Sequence, residues 1–209
     1  PEARRSDYWR FARAMFAAGF RKGDLVHNSF SYHLTPVGSM METAAHALSC
    51  AVIPAGTDSV ELQARILGDL QPAAYAGTPA FLKELLETTR AMGIAPSIYK
   101  GFVGNEPLLP AMRTALQNLG CTAYQCYSTP ELGCVAYETP ALDGLVVDER
   151  VIVEILHPGT GTPVAEGEVG ELVVTTLTPE YPLIRFATGD LSAALPGPSS
   201  CGRTNMRIS

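Results

Sequence analysis

The feature that most limits what this chain can fold into is an alternation. Up to about residue 140, short apolar runs take turns with stretches whose apolar residues recur at helical spacing. SDYWRFARAMFAAG sets Tyr8, Phe11, Ala12, Met15 and Phe16 along one helical face, with Ser6 or Asp7 as its cap. LVHNSF is extended, and Thr35 and Pro36 then supply an N-cap and a first-turn proline for a helix to about Ser49. AVIP is a short strand, and Asp58 with Glu61 three residues on suits the start of the next helix. AAYAG leads into Thr78-Pro79 and the helix AFLKELLETTRAM. SIYKGFVG leads into LLPAMRTALQNLG, which Gly120 ends, and CTAYQCY closes the series. Strand then helix, about five times with short links, predicts an α/β fold with a largely parallel sheet flanked by helices.

After residue 140 the period changes. GLVVDERVIVEIL, GELVVTTL and PLIRFATGDL are β-branched segments divided by PALDG, HPGTGTP and TPEYP, with no helical pattern between them. The expected organisation is an α/β subdomain over 1–140, to which the resemblance given below assigns nucleotide and acyl binding, and a small antiparallel, barrel-like β subdomain over 141–196. A segment over 197–209 then leads toward a further carboxyl-terminal domain.

Bulk properties exclude whole classes of partner. The 209 residues are 46% hydrophobic and 17% charged, enough to bury a core. A net charge of −6 with no basic stripe argues against nucleic acid. Pro, Gly and polar residues interrupt every long uncharged stretch, so no membrane span is expected. Five cysteines, an odd number without a CxxC pair, read as reduced thiols in a cytoplasmic protein.

The loops behind the parallel strands collect the chemistry. Open α/β sheets hold ligands at the carboxyl ends of their strands. Those positions carry Ser31-Tyr32-His33, Gly77-Thr78-Pro79, Gly104-Asn105-Glu106-Pro107 and Ser128-Thr129-Pro130-Glu131. In the β part, an apolar strand runs into Thr188-Gly189-Asp190, whose carboxylate suits two ribose hydroxyls. Each loop alone is better read as ordinary turn chemistry.

The order of these motifs removes that ambiguity. GNEP, then YSTPE, then GEVGELVVTTLTPEYPLIRFATGDL resembles the adenylate-forming superfamily of acyl- and aryl-CoA synthetases, and within it the phenylacetate–CoA ligases. LVHNSFSYHLT, CAVIP and YAGTPAFL are similar to further segments of that family, in the same order. The resemblance implies an ATP-dependent carboxylic acid–CoA ligase that forms an acyl-adenylate and then an acyl-CoA thioester. Its implied partners are ATP/AMP, Mg²⁺, coenzyme A and a small carboxylic acid, with a homodimer left open. Glu131 is implied as the catalytic carboxylate that holds Mg²⁺. Tyr127, Ser128, Thr129, Asp190 and the Gly104, Asn105, Glu106, Pro107 turn are implied to bind the nucleotide. Tyr32, His33 and Thr35 fall in the acyl pocket.

The departures from that pattern carry expectations of their own. The family's Gly-rich phosphate loop is expected just before residue 1, and its lysine-bearing lid domain after Ser209, so residues 1–209 alone are expected to be inactive. Pro130 stands where the family has a hydroxyl, which opens a second reading: a catalytically impaired nucleotide- or acyl-binding relative. A third class, a structural protein that has kept only the fold, also stays open. Thr35 replaces an aromatic wall. Ser199, Thr139 and Val146 stand where relatives place metal-binding Cys and His beside Cys201, so no structural zinc is expected.

Overall fold

The structure, a computed structural model, describes residues 7–209, so the proposed Ser6 cap lies outside the described residues. The chain forms two compact units that divide between Cys126 and Tyr127.

The first unit is the alternation made solid. Its strands are β1 (Leu25–Asn28), β2 (Ala51–Pro54), β3 (Ala74–Gly77), β4 (Lys100–Val103) and the start of β5 (Thr122–Thr129). All pair in parallel, in the order β2-β1-β3-β4-β5. The helices are α1 (Phe11–Ala17), α2 (Val37–Ala47), α3 (Val60–Leu70), α4 (Pro79–Ala91) and α5 (Pro110–Asn118). Successive strand residues point to opposite faces, so neighbours on β4 serve two cores. Phe102 meets the edges of Phe11 and Phe20 on the side where α1 and α2 pack. Val103 joins Leu67 of α3, Leu82, Leu85 and Leu86 of α4, and Leu116 of α5 on the other. Each such fully buried aliphatic side chain contributes about 1.5–3 kcal/mol over an exposed one.

Local chemistry explains most of the helix starts. Thr78 caps α4, its hydroxyl accepting from Phe81 N–H, with Pro79 in the first turn. Asp7 Oδ2 accepts from Ala12 N–H at 3.0 Å at the entry to α1. Two starts differ from expectation. Ser59, not Asp58, caps α3, because only its Oγ reaches Leu62 N–H (3.2 Å). α2 has no side-chain cap; Pro36 holds the cap position, and Thr35 Oγ1 only approaches Val37 N–H at 3.5 Å. β2 is an edge strand and ends in proline, which needs no ladder partner there.

The second unit contains β6 (Gly133–Tyr137), β7 (Leu145–Val147), β8 (Val151–Leu156), β9 (Val169–Thr176), β10 (Phe186–Leu195) and β11 (Arg207–Ile208). They run in the order β6-β7-β11-β10-β9-β8, with antiparallel ladders from β6 through to β8. Leu132, Val135, Val147, Ile155, Leu172, Val174 and Ile208 form its core. The barrel-like expectation is corrected: this is an open sheet. Strands as short as β7 and β11 cannot carry the staggered register that closure demands. The segment GLVVDERVIVEIL is two strands, because Asp148 accepts from Arg150 N–H and turns the chain between them. The compact units part upstream of residue 140, since Ala136 and Tyr137 pair with Val147 and Val146.

Candidate functional site

In the second unit, two residues 63 apart in sequence meet. Tyr127 lies on β5, and its hydroxyl donates to Asp190 Oδ2 at 2.6 Å. Asp190 reaches it because β10 bulges. Ala187 pairs with Val173 and Leu191 with Glu171, so residues 188–190 bow out of the ladder. Gly189 takes the left-handed φ of 78° that this bow requires, with open space around it. Thr188 locks the base of the bulge: its Oγ1 donates to Leu172 C=O (2.8 Å) and accepts from Asp190 N–H (3.1 Å). Asp190 stays exposed and Tyr127 half-buried. Burial, then the Asp190 carboxylate, pushes the Tyr127 phenol above its usual range, so it remains a donor. A carboxylate with one oxygen anchored and its face open can accept hydroxyl hydrogen bonds.

Glu131 sits at the exposed turn between β5 and β6. The turn is held by Thr129, whose Oγ1 accepts from Leu132 N–H at 3.1 Å, and by Gly133 at φ 70°. Thr129 therefore serves the turn backbone, and Ser128 is a half-buried strand residue beside it. An exposed carboxylate is the oxygen donor that a hard cation needs. Among the described residues, no group of three or more His, Cys, Asp or Glu side chains is placed to hold a metal ion.

In the first unit the predicted residues occupy the carboxyl edge of the parallel strands. Gly104 follows β4 and bonds Gly77 C=O; a Cβ there would lie 3.1 Å from Cys126 Sγ. Asn105 takes φ 63°, while Asn105, Glu106 and Pro107 are exposed. Gln125 of β5 steadies this turn by accepting from Leu108 N–H at 2.9 Å. Tyr32 and His33 border an open groove of about 510 Å³, with Ser31 on the same bank and residues 54–58 on the other. Thr35 is not among the residues lining that groove.

Several residues the sequence reading did not single out hold these loops. His27 Nε2 lies 2.6 Å from Gln63 Oε1, and Asn28 Nδ2 donates to Tyr32 Oη at 2.7 Å and Gly38 C=O at 2.9 Å. Ser29 Oγ donates to Tyr75 Oη (2.6 Å), which donates to Thr78 C=O (3.1 Å). The only sequence signal was three polar residues in the otherwise apolar run LVHNSF. Elsewhere, Cys201 is held by Ser199 Oγ at 3.0 Å and Arg203 Nη1 at 3.4 Å. None of the five cysteines is in a disulfide. No helix among the described residues is long and apolar enough to cross a membrane.

This fold, a parallel sheet in the order 2-1-3-4-5 and an open antiparallel unit, has counterparts among solved structures. The fold matches an open conformation of 2-hydroxyisobutyryl-CoA ligase in complex with 2-HIB-AMP and CoA. Its TM-score is 0.88 at 27% identity, over 99% of this chain and 51% of that one. An amide bond synthetase from Marinactinospora thermotolerans shares the fold at TM-score 0.70 and 16% identity. In sequence and fold the chain is similar to acyl-CoA ligases of the adenylate-forming superfamily. Within it, the sequence relatives are phenylacetate–coenzyme A ligases. The Thermus thermophilus enzyme is 33% identical over 211 residues, 94% of this chain and 46% of the relative. The Escherichia coli enzyme is 36% identical over 208 residues, 95% of this chain and 48% of the relative. The chain thus spans about half the length of the curated relatives it matches. It matches no protein-family model.

Proposed function

We propose that this chain is the nucleotide- and acid-binding part of an ATP-dependent carboxylic acid–CoA ligase. The observation that carries the proposal is the Tyr127–Asp190 hydrogen bond, which holds one oxygen of an exposed carboxylate and leaves the rest of its edge open. Asp190 binds the ribose hydroxyls, Tyr127 keeps its carboxylate in place, and the Gly104–Asn105–Glu106–Pro107 turn lies along the nucleotide. The groove beside Tyr32 and His33 takes the acyl end of the substrate acid. Glu131 fits Mg²⁺ as an unburdened oxygen ligand, and the ion, when bound, neutralises phosphate charge during adenylyl transfer. The reaction is attack of the substrate carboxylate on the α-phosphate, releasing pyrophosphate, followed by attack of the CoA thiol on the acyl carbon, releasing AMP. The protein's part is orientation and electrostatic stabilisation.

The test is acid-dependent pyrophosphate release from ATP by the complete reading frame that encodes this chain, across aromatic and aliphatic acids. Acyl-CoA formation with at least one acid is the expected result; nucleotide binding without pyrophosphate from any acid overturns it. One observation favours a second reading, a binding protein that no longer turns over. Pro130 offers no hydroxyl, and the neighbouring Thr129 hydroxyl already serves Leu132 N–H. Under that reading a non-hydrolysable acyl-adenylate mimic binds, yet no pyrophosphate forms.

A further inference from the structure

Two consecutive residues of β1 reach the two banks of the groove from opposite faces of the sheet. Asn28 points toward α2. Its amide donates to Tyr32 Oη and to Gly38 C=O, and its Oδ1 accepts from Phe30 N–H at 3.2 Å. The Tyr32 ring packs so closely on Gly38 that a Cβ there would lie 2.8 Å from it. The Ser31–His33 bank is thereby fixed.

His27 points toward α3 and works through Gln63. Gln63 Nε2 donates to Gly56 C=O (3.2 Å) and Asp58 C=O (3.0 Å), both on the opposite bank. Those two carbonyls settle which way the amide faces, because only its NH₂ end can donate to them. Gln63 Oε1 therefore faces His27, and only an Nε2–H can meet it. His27 is then the neutral Nε2–H tautomer, with Nδ1 a buried lone pair that has no hydrogen-bond partner among the described residues. His27, Asn28 and Gln63 are 0%, 1% and 1% exposed, so water does not compete for these bonds. Burial lowers the His27 pKa, in keeping with a neutral ring.

Neither bank has regular secondary structure across its middle, and β2 is an edge strand that ends at Pro54. Besides the Gly56 N–H to Asn28 C=O bond (3.1 Å), the Gln63 amide is what ties residues 56 and 58 down. We propose that His27 and Gln63 are positioning residues for the acyl end of the substrate: they set the 54–58 bank against the bank that Asn28 sets, and so fix the groove's width. The proposal rests on the acid–CoA ligase reading above.

Two variants of the complete reading frame test it. Gln63→Leu removes both arms of the amide. Gln63→Glu still accepts from His27 Nε2–H but has nothing to donate to Gly56 and Asp58. Both variants are expected to raise the KM for the carboxylic acid on the order of tenfold, with the KM for ATP within about twofold of wild type. Both should also speed backbone amide exchange at residues 56–59. If Gln63 only satisfies His27, Gln63→Glu will match wild type in KM and exchange, and the proposal is overturned. KM and exchange unchanged from wild type in both variants overturn it as well. Wild-type protein that releases no pyrophosphate with any acid defeats the ligase reading alone. The loop exchange then decides whether the His27–Gln63 hold on the bank stands.

Discussion

The two units use polar residues in opposite ways. In the parallel unit the decisive polar groups, His27, Asn28, Ser29 and Gln63, are buried, and their bonds hold strand ends and loops. In the antiparallel unit the proposed site groups, Asp190 and Glu131, are exposed, on a bulge and a tight turn that the Thr188 and Thr129 hydroxyls lock. The first unit shapes a surface; the second presents side chains to solvent. Substitutions in the first should therefore show mainly in stability, loop order and the KM for the acid, and substitutions in the second mainly in turnover.

The largest effect that distinguishes the two belongs to Asp190. Asp190→Ala removes the proposed ribose carboxylate and leaves Tyr127 without its acceptor. Acid-dependent pyrophosphate release should fall by about 100-fold or more. The melting temperature should hardly move, because exposed substitutions usually lie within about 0.5 kcal/mol. A loss of activity that tracks a loss of fold would break the contrast. Next comes a pair of glycines, one in each unit. At Gly77 a Cβ would sit 2.1 Å from Tyr75 Oη and 2.2 Å from Ser29 Oγ. Gly77→Ala should cost about 2–4 kcal/mol by denaturant unfolding, since it must break the Ser29–Tyr75–Thr78 chain as well as overpack. Gly189→Ala meets only open space but must hold φ 78°, so about 1 kcal/mol is expected. Equal costs at the two sites would remove the distinction between a packed and an open glycine.

The sequence carried the parallel unit well because that information is local. Thr78-Pro79 before an amphipathic run is a helix start whatever surrounds it, and all five parallel strands lie where the apolar runs place them. What escaped was non-local. GCVAY became β6 because Ala136 and Tyr137 pair with β7, which no pattern inside five residues announces. Thr188-Gly189-Asp190 looked like a tight turn, yet β10 continues through it; a bulge exists only relative to the partner strand's register. Tyr127 and Asp190 could each be assigned to a nucleotide by resemblance, but their direct bond spans 63 positions. Gln63 gave no warning, and His27 only its place among the polar residues of LVHNSF, because a histidine in a strand and a glutamine in a helix take meaning only when packing brings them to 2.6 Å.

The smallest effect contrasts one residue type across the two units. Cys121 is buried in the parallel unit, and that burial alone pushes its thiol up to about 12. Around Cys201, burial also opposes ionisation, but hydrogen bonds from Ser199, Arg203 and Thr139 outweigh it and bring the thiol down to about 6. The signs of the two stability contributions follow by linkage. Cys201 is depressed below an unfolded value of about 8.5, so its contribution is complete above that pH and is lost as pH falls through about 6. Cys121 is raised, so it is neutral at lower pH and costs stability only above about 8.5. Wild-type stability should thus rise from pH 6 toward 8.5, and Cys201→Ser should flatten that rise. Thiolate absorbance, read as the difference between wild type and Cys201→Ser, should show one group titrating near pH 6. A Cys201 midpoint at or above 8.5 would mean that the Ser199, Arg203 and Thr139 contacts do not hold a thiolate, and the two cysteines would no longer separate the units.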